Sequence, residues 1–314
     1  MGLFSKYDLY ARADFDGLVS AALIRQKVRV RSLCFVSAEE VSNRDLQLGS
    51  RPITLNLPWC DSVKWCYDHR PRSEKPVNRI TRPGALSTSR VVWEHFGGAR
   101  AFPKFSEELI AAADKFSSAT YSREDVENPS GWELLSFLLD TQTGLSRLGQ
   151  FSLSHSALLN DLVDLLPGKS AEEVLTHPDL AARARFYRAE QSDFREQVLS
   201  SSRMLPGSLL LIDYRMHEQT HVGNRYLAYA LFPEALLSLT VTWGFMREQV
   251  VISMGRSIFA PAEEQKVDVG ALMRTYGGGG HPGAGKCSVK SDDFERILGE
   301  IVDEVTSLNS AKDC

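Results

Sequence analysis

The first third of the sequence alternates short apolar runs with helical periodicity, and this alternation restricts the fold more than any other feature. "YDLYARA" (Tyr7–Ala13) reads as a strand, and "GLVSAALIRQKV" (Gly17–Val28) has the apolar spacing of a helix. "RVRSLCFVS", "PITLNL" and "VKWCYDH" read as three more strands, before helices over Ala85–Gly97 and Phe105–Phe116. Strands that alternate with helices predict an α/β fold, with a parallel sheet covered on both faces. Such sheets bind ligands at the carboxyl ends of their strands. Two acidic clusters fall there: Asp14 and Asp16 after the first strand, and Asp68 with His69 after a later one.

The middle of the chain reads as helical, and the polar stretch from Ala181 suits a linker helix that "LPGS" (Leu205–Ser208) ends. β-branched strands and two amphipathic helices follow. The predicted layout is a parallel-sheet domain over 1–180, a linker helix over 181–205 and a smaller α/β domain over 206–314.

A net charge of −4 among 314 residues excludes a global basic field for long duplex nucleic acid. A small anion held by local arginines remains compatible. Cys34, Cys60, Cys66, Cys287 and Cys314 have no metal-site spacing and read as free thiols of a reducing compartment. No apolar run reaches the roughly 18 residues that span a bilayer, and the first residues lack a signal peptide's apolar core. The cytoplasm is the expected location, with no membrane partner.

Four local patterns carry chemistry. Asp14-Phe-Asp16-Gly17 puts two carboxylates on one side of an extended chain, as a hard divalent cation requires, although the same residues also suit a turn with an N-cap. Asp68-His69 adds an imidazole, which favours Mn²⁺ over Mg²⁺. Asp114 and Asp140 compete as a further carboxylate from a helix. In the last domain, Gly277-Gly-Gly-Gly-His281 offers consecutive amides for an anion, with Gly278, Gly279, Gly280 and His281 as contacts, and Arg256 offers a guanidinium fork.

In this order the motifs resemble the DHH phosphoesterases with their DHH-associated C-terminal domain. The resemblance covers essentially the whole chain. "GGGGHPGAGKCSV" is close to the family's C-terminal signature, and "NLPWC" and "GWELLSFLLDTQTGL" are similar to its exopolyphosphatase-related group, beside RecJ-like and oligoribonuclease-like members. The resemblance implies hydrolysis of a small phosphorylated substrate, a nucleotide or a short single-stranded oligonucleotide by metal-activated water at an interdomain cleft. It implies Asp14, Asp16, His69 and Asp114 as ligands of Mn²⁺ or Mg²⁺. It also implies Asp68 and Arg70 as catalytic groups, and Arg256, Gly278, Gly279, Gly280 and His281 as substrate contacts. A homodimer stays open.

The chain departs from the family pattern at three places. Tyr10 and Arg12 occupy the region of the first motif's histidine, Asn56 stands for a bridging aspartate, and Arg70 stands for the third motif's second histidine. The expectation is a single ion held by Asp16, His69 and Asp114, with Arg70 turned away from it toward substrate phosphate. The alternative is a catalytically degenerate protein that binds nucleotide or phosphate as a sensor or scaffold.

Overall fold

In the computed structural model, which describes residues 5–42, 47–70 and 76–310, the chain divides into two compact units. One comprises residues 1–121 and 128–188, and the other residues 122–127 and 189–314. Residues 71–75 and Cys314 lie outside the described residues.

The first unit is built on a five-stranded, all-parallel sheet. Its strands are β1 (Lys6–Arg12), β2 (Arg29–Val36), β3 (Pro52–Leu55), β4 (Trp65–Tyr67) and β5 (Arg79–Ile80), in the order β2-β1-β3-β4-β5. β1 and β3 lie inside this order and are buried along their lengths, as parallel strands covered on both faces must be. The helices are α1 (Phe15–Arg25), α2 (Ala38–Ser42), α3 (Thr88–Phe96) and α4 (Glu107–Ser118). The short α5 (Arg123–Glu127) belongs to the second unit. α6 (Gly131–Leu139), α7 (His155–Leu165) and α8 (Ala171–Leu175) complete the first. α1 is buried from Phe15 to Ile24, because α3, α4, α6 and α7 all pack around it.

The register of the sheet makes the site. Ala11 pairs with Leu55 and Leu55 pairs with Tyr67, so the next residues, Arg12, Asn56 and Asp68, leave the sheet at one level. Gly17 then lets α1 start beside β1. A Cβ there would lie 2.0 Å from the Arg12 carbonyl oxygen, so no other residue fits without moving the backbone.

α9 (Pro178–Ser201) contains the division between the two units, after Arg188. The linker helix expected to reach residue 205 stops earlier: Ser202–Leu205 forms strand β6, antiparallel to β7 (Leu209–Asp213). Gly207 and Ser208, both at positive φ, close that hairpin, and cross-strand pairing overrides the continuing helical pattern. The second unit adds α10 (Leu227–Leu231), β8 (Leu237–Trp243), β9 (Gln249–Arg256), α11 (Val269–Thr275), β10 (Gly279–His281), β11 (Ala284–Lys290) and α12 (Phe294–Ser310). Its mixed sheet runs β10-β11-β9-β8-β7-β6. Leu239, Val241, Ile252, Met273, Phe294 and Ile301 are among its core residues. No described helix is long and apolar enough to cross a membrane.

Candidate active site at the strand ends

Asp14, Asp16, Asn56, Asp68, His69 and Arg70 gather at the carboxyl ends of β1, β3 and β4, with the N-terminus of α3 beside them. Each carboxylate has a specific set of protein donors. Asp14 Oδ1 accepts the Gly17 amide at 2.8 Å, its Oδ2 forms an ion pair with Arg12, whose Nε lies 2.9 Å away, and Asn56 Nδ2 lies 3.2 and 3.3 Å from the two oxygens. Burial pushes the Asp14 carboxyl above its ordinary value of 3.8, and Arg12 pulls it back down.

Asp16 is completely buried and holds the start of α3. Its oxygens accept the Thr88 amide at 2.9 Å, the Ser89 amide at 2.8 Å and the Ser89 hydroxyl at 2.6 Å. A carboxylate on the exposed amides of a helix N-terminus is a favourable pairing in its own right. His69 Nδ1 lies 3.1 Å from Thr88 Oγ1 and 3.8 Å from Asp16 Oδ2. Burial lowers the His69 pKa below 6.5, while Asp16 opposes that shift.

Asp68 is also buried. It accepts Arg70 Nε at 3.0 Å on one oxygen and Arg79 Nη2 at 3.1 Å on the other. Asp68 thus holds two guanidiniums, one of them that of Arg70, the other residue expected among the catalytic groups. Arg70 differs from expectation. It turns inward, donating from Nη2 to the Asn56 carbonyl at 2.7 Å and to Asn56 Oδ1. Asn56 sits at φ 59°, a left-handed backbone that asparagine tolerates better than most residues. Its amide lies between opposite charges, with Nδ2 on Asp14 and Oδ1 on Arg70.

Asp114 accepts Ser87 Oγ at 2.6 Å, and Arg90 Nε and Nη2 at 2.9 and 2.7 Å. Asp140 Oδ1 accepts the amide of Gln142. Tyr10 packs with Val36, Val41 and Leu57, and its hydroxyl accepts the Gly49 amide at 2.9 Å.

The donor set decides whether divalent cations fit. Asp14, Asp68 and Asp114 are each paired with arginine, and Asp16 with helix amides. Arg12, Arg70, Arg79 and Arg90 thus pair with Asp14, Asp68 and Asp114, and Arg90 pairs with Glu107 as well. At an effective dielectric near 20, a guanidinium about 4 Å from a divalent ion costs roughly 8 kcal/mol. In this arrangement Asp114 is paired with Arg90 and Asp16 with helix amides, so the expected set of Asp16, His69 and Asp114 does not fit a divalent ion as it stands. Among the described residues, ligand atoms of three suitable side chains lie within 4.8 Å of one another only at Glu190, Asp193 and His221, in the second unit. There His221 Nδ1 already lies 2.9 Å from Glu190 Oε2.

Sequence reading missed Arg79, Arg90 and the Ser87–Ser89 helix start, although "STSR" carries a helix-cap signal for the last of these. It also missed His155, whose Nε2 donates to the Ala13 carbonyl at 3.1 Å, directly before Asp14.

The glycine run of the second unit does something other than expected. The Gly277 and Gly278 amides donate to the Arg274 and Met273 carbonyls and end α11. A Cβ on Gly278 would lie 2.1 Å from the Lys286 oxygen, and one on Gly280 would lie 2.2 Å from the Ala284 oxygen. The expected anion cradle is thus a helix cap and a tight hairpin. Gly279 alone of the three proposed contact glycines has open space around it, and His281 is exposed beside it. Arg256, expected as a phosphate fork, donates Nε and Nη2 to the Val267 carbonyl and holds a loop.

Comparison with known structures identifies the family. The fold is similar to a pGpG-specific phosphodiesterase, PggH of Vibrio cholerae, at 35% identity over 96% of this chain and 99% of that one, with a TM-score of 0.82. The chain belongs to the DHH phosphoesterase family. It also shares its fold with a DHH-domain protein described as a member of the s1p family of ribosomal proteins (13% identity, 97% of this chain and 87% of that one, TM-score 0.64). A third neighbour is Thermus thermophilus RecJ in complex with Mn²⁺ (14% identity, 96% of this chain and 52% of that one, TM-score 0.55). No family model and no curated protein matches the sequence. The α/β architecture and the phosphoesterase family read from the motifs therefore hold.

Proposed function

We propose that this DHH phosphoesterase acts on a short linear nucleotide carrying a terminal phosphate, of the class that pGpG represents. The observation that carries the proposal is the 35% identity to PggH, which extends over nearly the full length of both chains. The strand-end cluster of the first unit is the reacting region in this reading. The test is incubation of the purified chain with pGpG, its cyclic counterpart, short RNA and polyphosphate. Separate arms contain Mn²⁺, Mg²⁺ or chelator, and products are separated by chromatography. Selective binding or turnover of pGpG is the expected result. A chain that neither binds nor cleaves pGpG in any arm sinks the proposal.

One observation favours a second reading, in which the nucleotide is held with little turnover. Every carboxylate of the centre is already matched by guanidinium or helix amide. Tight pGpG binding with no product in the Mn²⁺ arm would select this reading, and rapid cleavage there would reject it.

A further inference from the structure

We propose that the strand-end centre holds a phosphate group through Arg12, with Arg70 fixing the network behind it, and that it needs no divalent cation to do so. The proposal rests on the dinucleotide reading only for its choice of nucleotide probe. Three observations carry it.

The first is the internal charge balance. Asp14, Asp68 and Asp114 have guanidinium partners at 2.7–3.1 Å, and Asp16 is satisfied by the amides that open α3. Each carboxylate of the cluster already has a protein donor or cationic partner, and a metal drawn to Asp14, Asp68 or Asp114 would meet an arginine there.

The second is Asn56. A carboxylate at this position would face Asp14 at about the same 3.2 Å, a like-charge repulsion that a proton or a cation would have to relieve. The amide instead donates to Asp14 and accepts from Arg70, which joins the two charges without an ion.

The third is Arg12 itself. It meets Asp14 through Nε, its side chain is 44% exposed, and among the described residues its two terminal nitrogens have no protein partner. A guanidinium with one nitrogen anchored and its outer edge open is suited to bidentate contact with phosphate oxygens. Arg70 cannot serve in the same way, because its Nε and Nη2 are engaged by Asp68 and Asn56.

The experiment is calorimetric titration of pGpG and of inorganic pyrophosphate into the full chain, once with excess Mn²⁺ and once with excess EDTA. Arg12→Ala is measured in parallel. His221→Ala is the background for counting Mn²⁺ sites, since it breaks the one other ligand group found among the described residues. The expected result is equal affinity in both buffers and a loss of about tenfold or more for Arg12→Ala in each. Stoichiometric Mn²⁺ binding by His221→Ala, or probe binding that appears only with Mn²⁺, overturns the proposal. In the latter case the dinucleotide reading survives. Pyrophosphate binding in both buffers without pGpG binding sinks the dinucleotide reading and leaves this proposal standing. Binding of neither probe in either buffer overturns both. If Arg12→Ala fails to fold, Arg12→Lys serves instead: it keeps the charge but not the fork, and unchanged affinity there argues against bidentate contact.

Discussion

The strand-end cluster of the first unit and the glycine run of the second are the chain's two ligand-like motifs, and they use their polar groups differently. In the cluster, side chains answer one another: carboxylate to guanidinium, amide to both. In the glycine run, backbone groups answer one another, with amides closing α11 and glycines admitting β11. Both motifs are thus occupied with holding the fold. What distinguishes them is what stays open, an exposed arginine edge in the cluster and, in the run, Gly279 with open space around it. The remainder after internal hydrogen bonding, rather than the motif itself, is what can meet a ligand.

The largest effect expected from breaking this comparison is at Asp68. Asp68→Ala leaves Arg79, whose side chain is only 3% exposed, without its carboxylate. Removing one partner of a buried ion pair costs about 3–5 kcal/mol, which a shift in the urea midpoint would report. A midpoint unchanged by this substitution would mean that the charge network does not hold the centre.

Gly278→Ala comes next. Its new methyl would meet the Lys286 oxygen and Cys287, and overpacking of this kind costs roughly 1–3 kcal/mol. Thermal melting of the variant, with wild type beside it, is the check.

A smaller effect is graded by pH. Burial lowers the pKa of both His69 and His155 below the unfolded value of 6.5. The unfolded chain then binds more protons between the folded-state values and 6.5, so stability rises with pH through that window and is lost as pH falls. Asp14, pushed the other way, contributes the opposite slope above 3.8. Denaturant melts across pH should show His155→Asn flattening the rise toward 6.5, and an unaltered rise would remove His155 from the account.

The smallest expected effect sharpens the contrast within the run. Gly279→Ala meets open space and should change stability by no more than about 0.5 kcal/mol, while still altering nucleotide affinity if this glycine touches ligand. A large loss of stability at Gly279 would erase the distinction from Gly278.

Much of the fold was legible because its signals are local. The alternation of strand and helix from Tyr7 to Phe116 reads directly as a parallel sheet, and the DxDG and Asp-His motifs fall at strand ends as such a sheet requires. The β6 hairpin was not legible, since helical spacing continues up to Ser201 and only pairing with Leu209–Asp213 breaks it. At the site, the sequence placed Asp14, Asp16, Asn56, His69 and Arg70 together but could not say which way Arg70 turns. That direction depends on Asn56 and Asp68, two strands' ends brought level by the register of β3 and β4.

The sequence by itself determined the family, the parallel sheet and the residue types at the centre, because periodicity and motif order need no partner in space. Only the tertiary structure decided what those residues do to one another. Arg79 and Arg90 lie 11 and 24 positions from the carboxylates they neutralise. The amides that bind Asp16 lie 72 and 73 positions from it. Charge balance is a property of distances, and these distances exist only once the chain has folded.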